Sequence, residues 1–175
     1  MNDPLGKMLA NWRIRMVLPH IRGRLLDIGC GANRLVRRYG NGVGVDVHDW
    51  GDVDHVVEDT AKLPFEDASF DTVTIIAALN HIPNRLDVLR EARRVLRPGG
   101  RIILTMIPPT ISTVWHTLRR PWDDDQTERG MKEGEVYGLT RQQVEDLLRE
   151  AGLAVRVSRA FMFGVNRLTV AEKAA

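Results

Sequence analysis

The chain has 175 residues, of which 43% are hydrophobic and 27% charged, the balance of a single globular domain with a sizeable core. Its 25 lysines and arginines against 23 acidic residues leave a net charge of +2, and the basic residues are spread along the chain, so a nucleic-acid partner is not indicated. Because Cys30 is the only cysteine, an intrachain disulfide and a cysteine-rich zinc site are excluded.

The sequence also bears on location. It contains no run of eighteen apolar residues, and its first residues lack the basic-then-apolar order of a secretory signal. A single cysteine fits a reducing compartment. We therefore expect a cytoplasmic protein with no membrane span.

The first predicted element is a helix within residues 1–20, where apolar residues recur at helical spacing until Pro19. Short apolar runs follow along the chain, and runs of this kind are typical of strands buried on both faces. The predicted strands are Leu25–Ile28, Val43–Val47, His55–Val57, Val73–Ile76, Ile102–Ile107, Ala154–Phe161 and Val165–Ala171.

Two helices with clear boundary signals lie between the later strands. Asn84 can cap the first of them, which stops before Pro98. Thr140 and Gln143 form a capping box for the second, and Gly152 is placed to end it.

This alternation of strands and helices predicts a parallel sheet, because each parallel neighbour requires a right-handed crossover. The last two strands have only a short connection, which makes them an antiparallel hairpin at one edge. The predicted fold class is α/β, a doubly wound, Rossmann-like and mostly parallel seven-stranded sheet with an antiparallel C-terminal hairpin strand.

A glycine-containing turn follows the first predicted strand. Gly29 and Gly31 allow the backbone to approach a ligand closely, and the helical stretch after them offers free N–H groups at its start. Arg34 stands at the third glycine position of the dinucleotide pattern G-x-G-x-x-G, which argues against a nicotinamide-dependent reductase. Asp46 ends the second strand, where an acidic side chain can accept hydrogen bonds from a ribose diol. The combination favours an adenosine-containing ligand.

Six short motifs then occur in a fixed order. They are Leu25-Asp27-Gly29-Cys30-Gly31, Gly44-Val45-Asp46, Glu58-Asp59 followed by Leu63-Pro64-Phe65, Ser69-Phe70-Asp71, Leu79-Asn80-His81-Ile82 and Val95-Leu96-Arg97-Pro98-Gly99-Gly100. In this order they resemble the class I S-adenosylmethionine-dependent methyltransferases, particularly the group that includes the ubiquinone and menaquinone biosynthesis enzymes. The resemblance implies S-adenosyl-L-methionine as cofactor and S-adenosyl-L-homocysteine as its product.

The resemblance also implies which residues bind that cofactor. From its methionine end to its adenine they are Asp27, Gly29, Cys30, Gly31, Ile76, Ala77, Asp46, Val47, Asp59 and Thr60. Ordinary structural roles are open to the same residues: the glycines can serve a turn, the acidic residues can be solvent-facing caps, and Cys30 can be a small buried side chain.

Two features depart from the family pattern. Only residues 47–54 separate the second and third strands, so the helix expected there is reduced to a turn. This shortening leaves apolar sheet surface at Val56 and Val57 uncovered, which makes a homodimer through that edge an expectation. The second departure lies where some relatives bind a divalent cation through Glu-x-x-Glu-His. Ala77 and Asn80 replace both carboxylates, so we expect no metal.

The whole chain, residues 1–175, is expected to be one methyltransferase domain with four parts. These are an N-terminal helix (1–20), a cofactor-binding core (24–107), a substrate lid (108–138), and a helix with the closing hairpin (139–175). The lid is inferred because this connection is long and combines aromatic with charged residues. A surface helix followed by a solvated loop is the alternative.

The leading functional hypothesis is methylation of a small molecule or of a lipid or sugar precursor. RNA or protein methylation is the second, supported by Arg34, Arg37 and Arg38, and a cofactor-binding module without catalysis is the third. Methyl transfer needs few catalytic side chains because proximity and orientation supply much of the acceleration. The candidate catalytic residue is His81, as a general base or as an orienting group, with local backbone capping as its alternative role.

Overall fold

A computed structural model of the protein describes residues 4–109, 134, 136 and 138–175. Its strands are β1 (Leu25–Ile28), β2 (Gly42–Asp46), β3 (His55–Val56), β4 (Phe70–Ile76), β5 (Leu96–Met106), β6 (Leu153–Phe161) and β7 (Asn166–Lys173). The described helices are α1 (Pro4–Val17), α2 (Arg34–Tyr39), α3 (Arg85–Val95) and α4 (Arg141–Glu150), with short 3-10 helices at Leu18–His20 and Leu79–His81.

The strands form one seven-stranded sheet in the order β3-β2-β1-β4-β5-β7-β6. The first five are parallel, whereas β7 runs antiparallel to β5 and β6 antiparallel to β7. The carboxyl ends of β1, β2, β4 and β5 therefore meet at one edge of the sheet. Because Met106 at the end of β5 pairs with Arg167 near the start of β7, the β6–β7 turn lies at that edge too.

Helices cover both faces of the sheet. Leu25 of β1 and Ile103 of β5 belong to the apolar cluster that includes residues of α1 and α2. Their neighbours Leu26 and Ile102 belong to the cluster that includes residues of α3 and α4. Successive strand residues point to opposite faces, so these fully buried apolar runs serve two helix layers at once. The predicted doubly wound fold is confirmed.

Element boundaries differ from the predictions in specific places. β5 begins at Leu96, not at Ile102, because Leu96 pairs with Phe70 before the register shifts and the pairing resumes between Thr72 and Arg101. Val47 lies just beyond β2. Residues 47–54 contain bends and no helix, as predicted.

One predicted helix cap is confirmed and one is wrong. Thr140 accepts a hydrogen bond from the Gln143 backbone N–H at 3.2 Å, and its own N–H donates to Gln143 Oε1 at 2.8 Å, the two bonds of a capping box. Asn84 occupies the N-cap position of α3 but makes no side-chain capping bond. Its amide instead donates to Asp59, at 3.1 Å to Oδ1 and 3.3 Å to Oδ2.

Most of the predicted lid, residues 108–138, lies outside the described residues. The described part of its C-terminal end contacts the turn after β4: Val136 N donates to Asn80 O at 3.0 Å, and Arg85 Nη2 donates to Gly134 O at 2.7 Å. A Cβ on Gly138 would lie 3.2 Å from Pro109 N, so the two ends of the segment are neighbours. None of the helices in the described ranges is long and apolar enough to cross a lipid bilayer.

Candidate functional site

Two adjoining cavities lie at the carboxyl edge of the sheet. The first encloses about 210 Å³ and the second about 430 Å³, and Gly29, Gly31 and Ile76 line both. Ligand pockets typically measure about 300–1,000 Å³, so the pair offers room for one extended small molecule. The other predicted residues in their walls are Asp46, Val47, Thr60, Ala77 and His81 in the first cavity, and Asp27 and Cys30 in the second.

The glycine turn between the cavities is held by the end of β2. The N–H groups of Gly29 and Cys30 both donate to Val45 O, at 2.9 and 3.1 Å. Gly29 has a φ of +70°, and a Cβ there would lie 2.7 Å from Ala78 Cβ, so glycine is required. Gly31 has a φ of +52°, and no atom lies within 4 Å of the position its Cβ would take. The turn therefore keeps open space where a ligand can approach the backbone.

Asn33 completes this turn. Its φ of +54° is left-handed, a conformation that asparagine tolerates better than most residues. The buried amide donates to Asp52 O at 3.0 Å and to Asp54 Oδ2 at 2.9 Å. These bonds fix the short 47–54 connection against the glycine turn, which allows that connection to form a wall of the first cavity.

Asp46 is buried at the end of β2, and its carboxylate is oriented by two backbone groups. Gly31 N donates to Oδ2 at 2.9 Å, and His48 N donates to Oδ1 at 3.1 Å. Each carboxylate oxygen has a second lone pair, so both can still accept a hydrogen bond from a ligand hydroxyl. A vicinal diol is the group that such an arrangement suits.

Asp27 is a buried carboxyl group in the wall of the second cavity. Burial raises its pKa to about 7, the hydrogen bond from Thr74 opposes that rise, and the charge of Asp46 adds to it. The Thr74 hydroxyl donates to Asp27 Oδ1 at 2.6 Å. A carboxylate in this position favours a cationic group on the ligand, because that group would offset its desolvation.

Cys30 has no nucleophilic character here. Burial, together with the nearby carboxylates of Asp27, Asp46 and Asp54, raises the pKa of its thiol to about 12. The thiolate is the reactive form of cysteine, and at neutral pH this side chain remains a thiol. Its contribution to the site is that of a small wall residue.

The chain leaves β4 through a strained residue. Ala77 has a φ of +52°, and its N–H donates to Thr105 O at 3.1 Å. Left-handed backbone is unfavourable for alanine and persists where surrounding contacts enforce it. As a result the chain lines the first cavity with Ile76, Ala77 and Ala78. The short 3-10 helix that ends at His81 follows.

His81 lines the first cavity and is half-buried. The backbone N–H of His81 donates to Ala78 O at 2.9 Å. Arg85 stabilises the same turn, with Nε donating to Leu79 O and Nη2 to Asn80 O, both at 3.1 Å. The imidazole is thus carried by a turn with fixed backbone, at the same cavity wall as the glycine turn.

Asp59 is the one predicted cofactor residue that lines neither cavity. Its carboxylate accepts hydrogen bonds from the Ala61 backbone N–H at 2.9 Å and from the Asn84 amide. Those bonds lower the pKa of Asp59. Its neighbour Thr60 does line the first cavity, so this stretch contributes to the site through Thr60.

Several residues that line the cavities were not predicted from the sequence, among them Trp50 and Arg13. Trp50 lines the first cavity from the 47–54 connection, is 44% exposed, and packs edge-on against His48 with ring centroids 4.6 Å apart. The position of this tryptophan shortly after Asp46 in the sequence could have indicated an aromatic wall of the site. Arg13 of α1 lines the second cavity, although the helical pattern assigned α1 only a packing role. Within the described ranges, no three His, Cys, Asp or Glu side chains are grouped to hold a metal ion, and the metal prediction stays a prediction.

The strand order and the two cavities define a doubly wound α/β domain with room for a ligand at the carboxyl edge of its sheet. Residues 26–104 match the family Methyltransf_11, described as a methyltransferase domain. A solved S-adenosylmethionine-dependent methyltransferase from Methanosarcina mazei superimposes with a TM-score of 0.66 at 20% identity, over 91% of this chain and 97% of the other. At that identity the likeness concerns the fold, and it agrees with the predicted fold class.

Two relatives are more similar in sequence. The 27-O-demethylrifamycin SV methyltransferase of Amycolatopsis mediterranei is 33% identical over 165 residues, which cover 81% of this chain and 58% of the relative. The ubiquinone/menaquinone biosynthesis C-methyltransferase of Pseudomonas savastanoi is 35% identical over 130 residues, which cover 59% and 51%. The chain thus spans about half the length of these relatives. The predicted resemblance to class I methyltransferases, with S-adenosylmethionine as cofactor, is confirmed.

We expect Asp27→Asn to make the protein's stability less sensitive to pH. The folded-state pKa of about 7 lies above the ordinary value of 3.8, so the stabilising contribution of Asp27 is fully present below pH 3.8 and is lost as the pH rises through 7. The free energy of unfolding of Asp27→Asn should therefore rise relative to wild type between about pH 4 and pH 7. Urea denaturation across this range measures it. The exposed Glu58→Gln should follow wild type, and a wild-type-to-Asp27→Asn difference that is constant with pH would contradict the assignment.

We expect Trp50 to contact the adenine ring of the cofactor. Aromatic contact with a base contributes about 1–3 kcal/mol, so Trp50→Ala should weaken binding of S-adenosylhomocysteine by about fivefold to a hundredfold. Trp50→Phe keeps an aromatic face and should lose much less. Calorimetry measures both, with Trp12→Ala as control because Trp12 lines neither cavity. Equal losses in Trp50→Ala and Trp12→Ala would refute the contact.

Proposed function

We propose that this chain transfers a methyl group from S-adenosylmethionine to a small-molecule acceptor, including a lipid or sugar precursor. The observation that carries the proposal is the pair of cavities joined at the glycine turn, with Asp27 in one wall and Asp46 in another. The names of the two relatives refer to demethylrifamycin SV and to ubiquinone and menaquinone biosynthesis. This favours a small acceptor over RNA or protein.

The residues present fit the cofactor along its length. Asp46 offers a pre-oriented acceptor for the ribose hydroxyls, and Thr60 and Trp50 line the same cavity. Asp27 offers a carboxylate for the cationic amino group at the methionine end, beside the open space over Gly31. Asp59 acts in this proposal by holding the Thr60 turn through Ala61 and Asn84.

When bound, the cofactor supplies a sulfonium-activated methyl group. With Asp27, Asp46 and the glycine turn holding the cofactor, an acceptor placed in line would form its new bond to the methyl as the methyl–sulfur bond broke, and the electron pair of that bond would stay on sulfur. The chain orients the acceptor and excludes water. If the acceptor carries a proton, His81 takes it through an imidazole nitrogen. The position of His81 in the wall of the first cavity supports this role.

The remaining proposals concern organisation. We propose that residues 1–175 form one domain and that residues 108–138 cover the acceptor. The two ends of that segment are neighbours, and its described C-terminal part contacts Asn80 and Arg85, which supports this proposal. A homodimer through the β3 edge is supported by Val56, which is 54% exposed in a two-residue edge strand.

Cofactor identity is tested by calorimetry with S-adenosylmethionine, S-adenosylhomocysteine and NAD. We expect the first two to bind and NAD not to bind, since the walls match an adenosyl amino acid and the third glycine of the dinucleotide pattern is Arg34. Asp46→Ala should weaken S-adenosylhomocysteine binding at least about tenfold, because two hydrogen bonds to the ribose are lost. The exposed Asp87→Ala is the matched control. Tight NAD binding without any response to the sulfonium cofactor would overturn the proposal.

The role of His81 is tested with an acceptor found by screening. His81→Ala should lower turnover by about a hundredfold or more while cofactor affinity is nearly unchanged, the effect of losing a positioned base. Steady-state kinetics and calorimetry on the same preparation measure the two quantities. Near-normal turnover would assign His81 a structural role and leave orientation as the main source of catalysis.

A further inference from the structure

Arg13 is a cation placed beside the glycine turn. It lies in α1, outside the segment that matches the methyltransferase family, and lines the second cavity together with Asp27, Gly29 and Gly31. The side chain is partly buried, and this burial lowers the pKa of its guanidinium. A cation taken out of water is unfavourable unless an anion or hydrogen-bond acceptors compensate it.

The fold holds this guanidinium in one orientation. Asn166, the first residue of β7, is fully buried next to it. With its amide oriented so that both polar atoms are satisfied, Asn166 accepts a hydrogen bond from Arg13 Nε at 3.1 Å and donates to Met106 O at 3.3 Å. An arginine has five N–H donors, and this arrangement uses the Nε donor. Among the described residues, no group accepts a hydrogen bond from the two Nη atoms.

The compensating anion is not supplied by the described part of the chain. Arg94, Arg97 and Arg101 each form an ion pair with a carboxylate, at 2.7, 2.8 and 3.1 Å. Arg13 forms no ion pair with a carboxylate in the described part of the chain, and burial lowers the pKa of its guanidinium. Asp27 lines the same cavity but accepts its hydrogen bond from Thr74. An oriented arginine in a cavity wall without a partner carboxylate is suited to an anionic group on the ligand.

We propose that Arg13 binds the carboxylate of the cofactor's amino-acid end, opposite the ammonium group held by Asp27. This inference rests on the proposed function. An amino acid carries one positive and one negative charge, and in the second cavity Asp27 can face the first and Arg13 the second. Guanidinium and carboxylate match as a planar pair with two parallel hydrogen bonds. Helix α1 is then part of the cofactor site.

Arg34 is the competing cation. It also lines the second cavity, but it is exposed at the first position of α2, and no buried partner orients its side chain in the described structure. An exposed arginine remains hydrated and gains less from an anionic ligand than one that is already partly desolvated. The proposal therefore assigns the carboxylate to Arg13 and gives Arg34 a minor effect.

The test compares two ligands that differ in the amino-acid end. S-adenosylhomocysteine carries it, whereas 5′-methylthioadenosine has the same adenosine and thioether without the carboxylate and ammonium. By calorimetry on the full chain, Arg13→Gln should lower the affinity for S-adenosylhomocysteine by about tenfold to a hundredfold. Its affinity for 5′-methylthioadenosine should stay within about twofold of wild type. Arg13→Lys keeps the charge without the planar pair and should fall between wild type and Arg13→Gln.

The matched control is Arg15→Gln, and Arg34→Gln tests the competing cation. Arg15 lies on the exposed side of α1 and lines neither cavity, so its loss removes the same charge from the same helix without touching the site. Thermal denaturation of each variant checks that it is folded. We expect Arg15→Gln to bind the two ligands almost as wild type does, and Arg34→Gln to lose less affinity for S-adenosylhomocysteine than Arg13→Gln.

Several results would overturn the assignment. Equal losses for both ligands in Arg13→Gln would mean that Arg13 only supports the fold. A selective loss in Arg34→Gln with normal binding in Arg13→Gln would transfer the carboxylate to Arg34. If the wild-type chain binds neither ligand, both the proposed function and this inference are wrong. If wild type binds S-adenosylhomocysteine and the Arg13 variants bind it equally well, only this inference is wrong.

Discussion

The turn after β1 is tied to the end of β2 by backbone donors, and the position of both cavities depends on that tie. Gly29 and Cys30 donate to Val45 O, and Gly31 donates to the Asp46 carboxylate. These bonds satisfy three N–H groups that would otherwise be unpaired where the strand ends. They also orient Asp46 and hold the space over Gly31 open. The site is thus built on hydrogen bonds between two strands of the sheet, which are more rigid than a surface loop.

The second structural theme is charge held out of water. Asp27 is buried with a raised pKa, and Arg13 is partly desolvated with a lowered one. Each is unfavourable for the folded chain by itself, since proteins pair the charges that they bury. Because both side chains line the same cavity, a ligand with complementary charges can offset the unfavourable free energy of burying them. The buried charges lower the stability of the fold at this edge of the sheet, and they are already oriented for a ligand.

Much of the fold followed from the sequence, because short apolar runs separated by helical periods specify a parallel sheet with two helix layers. The six motifs likewise identified the residues around Gly29 and Asp46. Side-chain direction was less accessible: Asn84 turns away from its helix toward Asp59, and a pattern of residue types does not reveal which of two available partners an amide selects. Arg13 escaped notice for a related reason, since its role depends on Asn166, which lies far away in the sequence and becomes its neighbour only when β7 pairs with β5.

The contact of Asn166 with both Arg13 and Met106 O also limits how the gene can be shortened. Residues 26–104 contain the family match, but α1 precedes them and β7 follows them. A fragment trimmed to the matched segment would lose the helix that carries the arginine, the strand that orients it, and Met106, whose carbonyl accepts the second hydrogen bond of Asn166. Helix α1 and strand β7 therefore support the same cavity wall, and deleting either one would remove part of that support.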